Sequence, residues 1–144
     1  DQVVGWEDIM PTLLDVAGAV IPQTVEGKSV LPLLQGNTEG WRETYHGEHA
    51  PCYHPENANQ FLTDRTWKYI WNPITDEDQL FCLESDPNEC VNLAASEPDE
   101  LAIWRSRMAS QLEGRSEGLS DGKELIPGRV AAWRSGDPAD VHLG

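Results

Sequence analysis

Three histidines and a glutamate, His46, Glu48, His49 and His54, fall within nine residues of each other. Imidazole and carboxylate together can ligate a metal, move a proton or hydrogen-bond a polar substrate. The run His46-Gly47-Glu48-His49 has an H-x-x-H spacing, but not the helical H-E-x-x-H frame that places two imidazoles on one metal. On a strand, alternation sends His46 and Glu48 to one face and His49 to the other. Three readings follow: local hydrogen bonding at the surface, contact with a substrate, or an independent metal site, which the alternation opposes. These four residues are the substrate-pocket candidates, and no catalytic residue or metal ligand is assigned. The three cysteines, Cys52, Cys82 and Cys90, stand 30 and 8 positions apart, which is not a zinc spacing. They read as free thiols, with a Cys82–Cys90 bridge across Asp86-Pro87 as the alternative. Asp86 and Glu89 flank that proline and read as turn-capping groups rather than an acid–base pair. Lys68 sits between aromatic residues; it either places its cation over Trp or Tyr or snorkels to water. Trp67, Tyr69 and Trp71 could stack a sugar ring, but at period-two spacing they read first as sheet core.

The elements that must position these groups are legible around residues 60–93. Trp67, Tyr69 and Trp71 point one way and Lys68, Ile70 and Asn72 the other, the alternation of a strand with two unlike faces. Phe61-Leu62 opens a shorter apolar run, and Gln79 to Leu83 makes a further strand. Asn72-Pro73, Asp76-Glu77-Asp78 and Asp86-Pro87 supply the turns. The result is an antiparallel meander, with residues 41–48 as a candidate fourth strand. Residues 6–18 read as an amphipathic helix with Ile9, Leu13, Leu14, Val16 and Ala17 on one side, Asp8 as N-cap, Pro11 in the first turn and Gly18 as the stop. A short helical or extended piece follows over residues 28–34. A second helix is expected from Ser96, its cap, with Pro98 and Asp99 in the first turn, to Gly114. Leu101, Trp104, Met108 and Leu112 share its apolar face and should cover the sheet; Arg105, Arg107 and Glu113 should face water. From Ser116 the chain reads as an extended tail with local turns, in which residues 130–133 could dock on an apolar surface. The fold class is α+β: a small antiparallel sheet of three or four strands, covered by a C-terminal helix and preceded by an N-terminal one.

Two stretches carry a family resemblance. Trp67-Lys68-Tyr69-Ile70-Trp71 and then Gln79 to Ala94, in the pattern Q-L-F-x-L-E-x-D-P-x-E-x-x-N-L-A, resemble the C-terminal subdomain of the sulfatases (arylsulfatases) of the alkaline phosphatase superfamily. Asp8 to Gly18, followed by Pro22 to Gly36, resembles the segment after the last core strand of that fold. Members usually have Asp where Cys82 stands and often Gly where Arg65 stands. The resemblance spans residues 3–119 and implies only the last quarter to third of a family member. It implies that residues 1–40 are the end of the catalytic region, with the helix packed on the catalytic α/β sheet, that residues 41–115 are the sheet-plus-helix subdomain, and that 116–144 are the tail. It implies that the parent hydrolyses sulfuric esters with a formylglycine made in a C-x-P-x-R frame and with a calcium ion. No such frame is present: Cys52 is followed by Tyr53-His54-Pro55, with proline one place late and no arginine, and Cys82 and Cys90 lack both partners. The chain alone is therefore expected to be inactive, and its implied partner is the missing N-terminal catalytic domain, or a second copy through the same docking face.

Composition sets outer bounds. The chain has 144 residues, a formal net charge of −15 and six tryptophans. Such a charge repels the phosphates of nucleic acids and anionic membrane surfaces, and no run of 18 apolar residues is present to span a bilayer. Starting at Asp1 without a methionine, the sequence reads as an excised or processed piece. Two further readings stay open: a free-standing acidic binding module without catalysis, and the C-terminal part of a phosphonate or phosphate ester hydrolase. The helix at 6–18 separates the first of these from the sulfatase reading, because a fragment would leave its apolar side uncovered.

Overall fold

A computed structural model describes residues 2–49 and 54–128. Cys52 and residues 130–133 lie outside the described residues. The chain opens with a 3-10 turn at Trp6–Asp8, helix α1 at Ile9–Val16 and the short helix α2 at Leu31–Leu34. Four strands follow, β1 Tyr45–His49, β2 Asn59–Thr63, β3 Trp67–Trp71 and β4 Asp78–Cys82, with a 3-10 turn at Pro55–Asn57 between β1 and β2. Helix α3, Pro98–Gln111, is the last element among the described residues. The sheet is antiparallel throughout, in the order β1-β2-β3-β4, so the expected α+β meander is present with its fourth strand. The N-terminal helical stretch is shorter than the 6–18 reading: its first turn is 3-10, and Gly18, in the left-handed region at φ 65°, follows its end.

Register explains the two faces. His46, Leu62, Tyr69 and Leu80 lie opposite one another across the four strands, and Glu48, Gln60, Trp71 and Asp78 form the next row on that face. Helix α3 covers this side. Trp104, Met108 and Leu112 are fully buried against Leu62, Tyr69, Trp71 and Leu80, with Leu101 and Trp67 packed at the margin. Removing these large side chains from water is the main favourable term holding helix to sheet. Leu119 and Leu125, joined across the Ser120–Leu125 bridge, complete the same core.

Several local expectations are corrected. Ser96 does not cap α3; its hydroxyl donates to the Leu93 carbonyl at 3.2 Å. The N-cap position is Glu97, which makes no side-chain cap bond, and Pro98 takes the first turn, where its missing N–H costs nothing. Arg105 does not face water. Its guanidinium reaches Asp78 at 2.6 Å and Asp76 at 3.3 Å, where these carboxylates also accept from the Tyr69 hydroxyl (2.6 Å) and the Trp71 indole (2.9 Å). Two aromatic groups buried for their rings thereby keep their polar ends bonded. Asp76 holds a positive φ of 58° in that turn. Arg107 lies 4.8 Å from the Trp104 ring centroid. The free-thiol reading holds for Cys82 and Cys90, and the alternative bridge across the Asp86-Pro87 turn is not formed.

The opposite face of the sheet carries a smaller aromatic layer. Tyr45 and Phe61 pack with centroids 6.1 Å apart. Gly47 makes this possible: a Cβ there would fall 2.2 Å from the Phe61 ring. Lys68 sits 5.5 Å from the Phe61 centroid, rather than over Trp or Tyr, and pairs with Glu89 at 2.6 Å. The outer edge of β4 is occupied by the following loop. Asn92 accepts from the Leu80 N–H at 3.0 Å and donates to the Asp78 carbonyl at 3.2 Å, and the Leu93 N–H reaches the Leu80 carbonyl at 2.8 Å. This leaves β1 as the other edge of the sheet.

Candidate functional site

The four histidine-region candidates do not form one centre. His46 faces the α3 side, where its Nε2 meets the Gln60 Oε1 at 2.8 Å. Burial pushes its pKa below the ordinary imidazole value, and the Arg115 charge adds to the effect against the Gln60 bond and Glu48. Glu48, on the same face, accepts from Arg115 at 2.8 Å, and Arg115 also reaches Glu117 at 2.7 Å. The Arg115 bond is the main reason that the Glu117 carboxyl is held down to about 2. His49 lies on the other face with its Nδ1 3.1 Å from the Asn57 carbonyl. His54 is exposed; its Nδ1 accepts from the Glu56 N–H at 3.4 Å and lies 3.8 Å from the Glu56 carboxylate. The separation of His46 and Glu48 from His49 follows the alternation rule. Among the described residues no three His, Cys, Asp or Glu side chains come together to hold a metal ion.

The structure instead concentrates polar chemistry at Asp8, which sequence reasoning placed only as a cap. As the N-cap residue of α1 it makes no side-chain cap bond. Its carboxylate, 2 % exposed, accepts from the Gly5 N–H at 2.8 Å, the Lys28 N–H at 2.9 Å, and both Arg42 nitrogens, Nη1 at 2.7 Å and Nη2 at 2.6 Å. Burial opposes the charge, but the Arg42 bond and the two backbone N–H groups together outweigh it, and the pKa is lowered. Around this centre the Tyr45 hydroxyl donates to Glu7 at 3.0 Å, the Trp41 indole to the Val3 carbonyl at 2.8 Å and the Lys28 ammonium to the Gly40 carbonyl at 2.9 Å. Gly27 is required here, because a Cβ would fall 1.9 Å from the Glu7 carbonyl oxygen. The Asp8 carboxylate is taken up by four protein donors, so the cluster fastens residues 3–8 to the 27–45 stretch rather than offering a catalytic group. The only sequence signal for it is an acid that begins an apolar helix.

Helix α1 is held on its polar side and bare on the other. Ile9, Leu13 and Val16 are 48 %, 64 % and 66 % exposed, and Trp6, Met10 and Val20 are exposed beside them. A shallow apolar groove of about 290 Å³ runs between Val4, Ile9, Leu13 and Val30. A second cleft, of about 1060 Å³, lies between residues 38–43 and the β2–β3 turn. Its charges have both signs, Arg42 and Arg65 against Asp64 and Glu84.

Residues 1–117 match the family described as N-sulphoglucosamine sulphohydrolase, C-terminal. The chain is 39 % identical over 130 residues to an arylsulfatase of Clostridium perfringens, covering 89 % of this chain and 26 % of that protein. It is 37 % identical over 113 residues to arylsulfatase K of Homo sapiens, covering 68 % of this chain and 20 % of that protein. Among solved structures, a 2-O GAG sulfatase superposes with a TM-score of 0.64 at 25 % identity, over 73 % of this chain and 24 % of the other. A phosphonate monoester hydrolase from Silicibacter pomeroyi shares the fold at a TM-score of 0.59 and 22 % identity, over 84 % of this chain and 28 % of the other. The chain thus spans about a quarter or less of the length of the curated relatives it matches.

Proposed function

The chain belongs to the N-sulphoglucosamine sulphohydrolase C-terminal family, and we propose that it is the C-terminal part of a sulfuric ester hydrolase, closing the fold and lining one side of the substrate pocket. The observation that carries this reading is the asymmetry of burial. The sheet is covered by its own helix, whereas on α1 the side chains of Ile9, Leu13 and Val16 stay 48 %, 64 % and 66 % exposed among the described residues. An apolar face of this kind marks a docking surface, and relatives of which this chain matches only 26 % and 20 % supply a natural occupant, an N-terminal catalytic portion of the same polypeptide. On this reading residues 1–40 are the end of the catalytic region and residues 41–115 the appended subdomain.

The calcium ion and formylglycine that the resemblance implies do not fit the residues here. No C-x-P-x-R frame is present, and no three ligating side chains converge among the described residues. Both groups belong to the part outside this chain, and no reaction step is assigned to these residues. His49 and His54, at the end of β1 and just after it, are the pocket residues of the proposal, with His46 and Glu48 behind them on the α3 side.

The test is sulfate release from an aryl sulfate, and from a sulfated sugar, by the intact polypeptide and by residues 1–144 alone. Turnover is expected only for the intact polypeptide. Turnover by residues 1–144 would overturn the assignment, and activity confined to a phosphonate monoester would move the protein to that hydrolase class. Residues 1–144 alone should self-associate in light scattering, since a second copy is then available to cover the α1 face.

A further inference from the structure

We propose that the groove at the His49 end of the sheet binds a hydroxyl- or amine-bearing sugar ring that carries no sulfate itself. The identity of the ligand as a saccharide rests on the sulfatase reading; the donor–acceptor argument rests on the groove. Its volume is about 300 Å³ and its lining includes His49, Asn57, Asn59, Ile70, Glu77 and Gln79. That is the low end of the range of small-molecule sites and suits one ring. The walls are fixed by Asn72. Its Nδ2 donates to the Glu56 carbonyl at 2.7 Å, and its Oδ1 accepts from the Ile74 and Thr75 N–H groups at 2.9 and 3.1 Å. One side chain therefore ties the Pro55–Asn57 turn to the β3–β4 turn, and the groove is built before any ligand arrives.

The lining selects what can bind. The Asn57 carbonyl can only accept, so the His49 Nδ1 facing it carries a proton, and in the tautomer this fixes Nε2 is the acceptor. The Glu77 carboxylate is acceptor-only, with one oxygen, Oε2, already taken by the Thr75 hydroxyl at 3.2 Å. Asn59 and Gln79 bring amides that serve either way, and Ile70 offers an apolar patch beneath. An acceptor-rich rim of negative sign rewards hydroxyl or ammonium donors and repels a sulfate. The sulfate-bearing unit of a substrate would have to sit elsewhere on the polypeptide, with its unsulfated neighbour in this groove.

The experiment uses the intact polypeptide and D-glucosamine as probe, with binding read by ligand-observed NMR and inorganic sulfate as competitor. Binding in the millimolar range is expected, unaffected by sulfate, and weakened about tenfold in His49→Ala and about threefold in Gln79→Ala, the scale of one lost hydrogen bond. Both positions are exposed, so the variants should fold; an unchanged circular dichroism melting curve checks this. Absence of binding at about 50 mM, a bar about tenfold above the ordinary weak-ligand scale, would overturn the proposal. So would equal affinity in wild type and both variants, or displacement of the sugar by sulfate. The readout needs no turnover: sugar binding without sulfate-ester hydrolysis would sink the sulfatase reading while sparing the groove, and hydrolysis without sugar binding would do the reverse.

Discussion

Replacing Arg42 with Met should release α1 without melting the sheet. The substitution keeps most of the apolar stem and removes the guanidinium. Asp8 would lose its contacts at 2.7 and 2.6 Å while remaining buried. Breaking a buried pair from one side costs about 3–5 kcal/mol in general. The Arg42 side chain is itself 16 % exposed, and Asp8 keeps the Gly5 and Lys28 N–H groups, so about 2–4 kcal/mol is the better figure here. Where that loss appears follows from packing: α1 rests mainly on the preceding 3-10 turn and on α2, not on the sheet. The opening should therefore be local. Hydrogen exchange should accelerate by about 30- to 700-fold in the last turn of α1, with the amides of Tyr69 and Leu80 unchanged. Acceleration below about threefold, or equal acceleration in helix and sheet, would refute the reasoning. The same centre gives a pH dependence with a definite sign. The folded pKa of Asp8 is lowered, so its stabilising contribution is complete above the ordinary carboxylate value of about 3.9 and is lost as pH falls through the lowered folded value. Protection of α1 should decline in that acid window in the wild type and much less in Arg42→Met.

Three further outcomes are expected. Trp104→Ala should cost about 3–5 kcal/mol in urea unfolding, because the indole is fully buried between α3 and the sheet; a loss below about 1 kcal/mol would show that the helix does not hold the sheet. Unfolding free energy should fall as pH drops below about 6.5, since burial lowers the His46 pKa in the folded state and the unfolded chain takes the proton first. His46→Gln should flatten that part of the profile, and an unaltered slope between pH 7.5 and 5.5 (about one unit either side of the free imidazole value) would reject the assignment. Gly47→Ala should destabilise by about 1–3 kcal/mol, because the new Cβ would meet the Phe61 ring at 2.2 Å; a neutral change in thermal unfolding would mean that the ring slides aside freely.

Local pattern carried the sheet and α3 because their side chains repeat at the period of the element. Trp67, Tyr69 and Trp71 alternate, and Leu101, Trp104, Met108 and Leu112 recur at helical spacing, so burial could be assigned before any contact was visible. The same rule separated His46 and Glu48 from His49. What local pattern could not carry was pairing over distance. Asp8 looked like a helix cap because acids often cap helices; its partners, Lys28 and Arg42, lie 20 and 34 positions away. Arg105 looked solvated because the apolar stripe of α3 excludes it, yet Asp76 in the β3–β4 turn and Asp78 at the start of β4 wait 29 and 27 positions earlier. Ser96 misses the cap because the helix starts one residue later than its spacing predicts, with Glu97 at the N-cap and Pro98 in the first turn. The groove beside His49 was hidden for a related reason: it is assembled by Asn72 from two turns that no periodicity connects.

These two kinds of interaction divide the molecule in a way that bears on its role. The sheet and α3 satisfy each other: their apolar faces meet, their aromatic hydroxyl and indole groups find Asp76, Asp78 and Glu100, and no buried side-chain nitrogen or oxygen among the described residues is left unbonded. Helix α1 is satisfied only in its polar groups. Asp8, Arg42, Glu7 and Tyr45 fix its attitude while its apolar side contributes nothing to the core. A helix oriented by charge and left bare of apolar cover is expected of a surface that is set first and buried afterwards. On the proposed reading the energetic roles then differ: the sheet-and-helix core supplies the stability of these residues, and the Asp8 cluster would hold a docking face ready for an N-terminal portion, limiting the ordering entropy lost when the two meet.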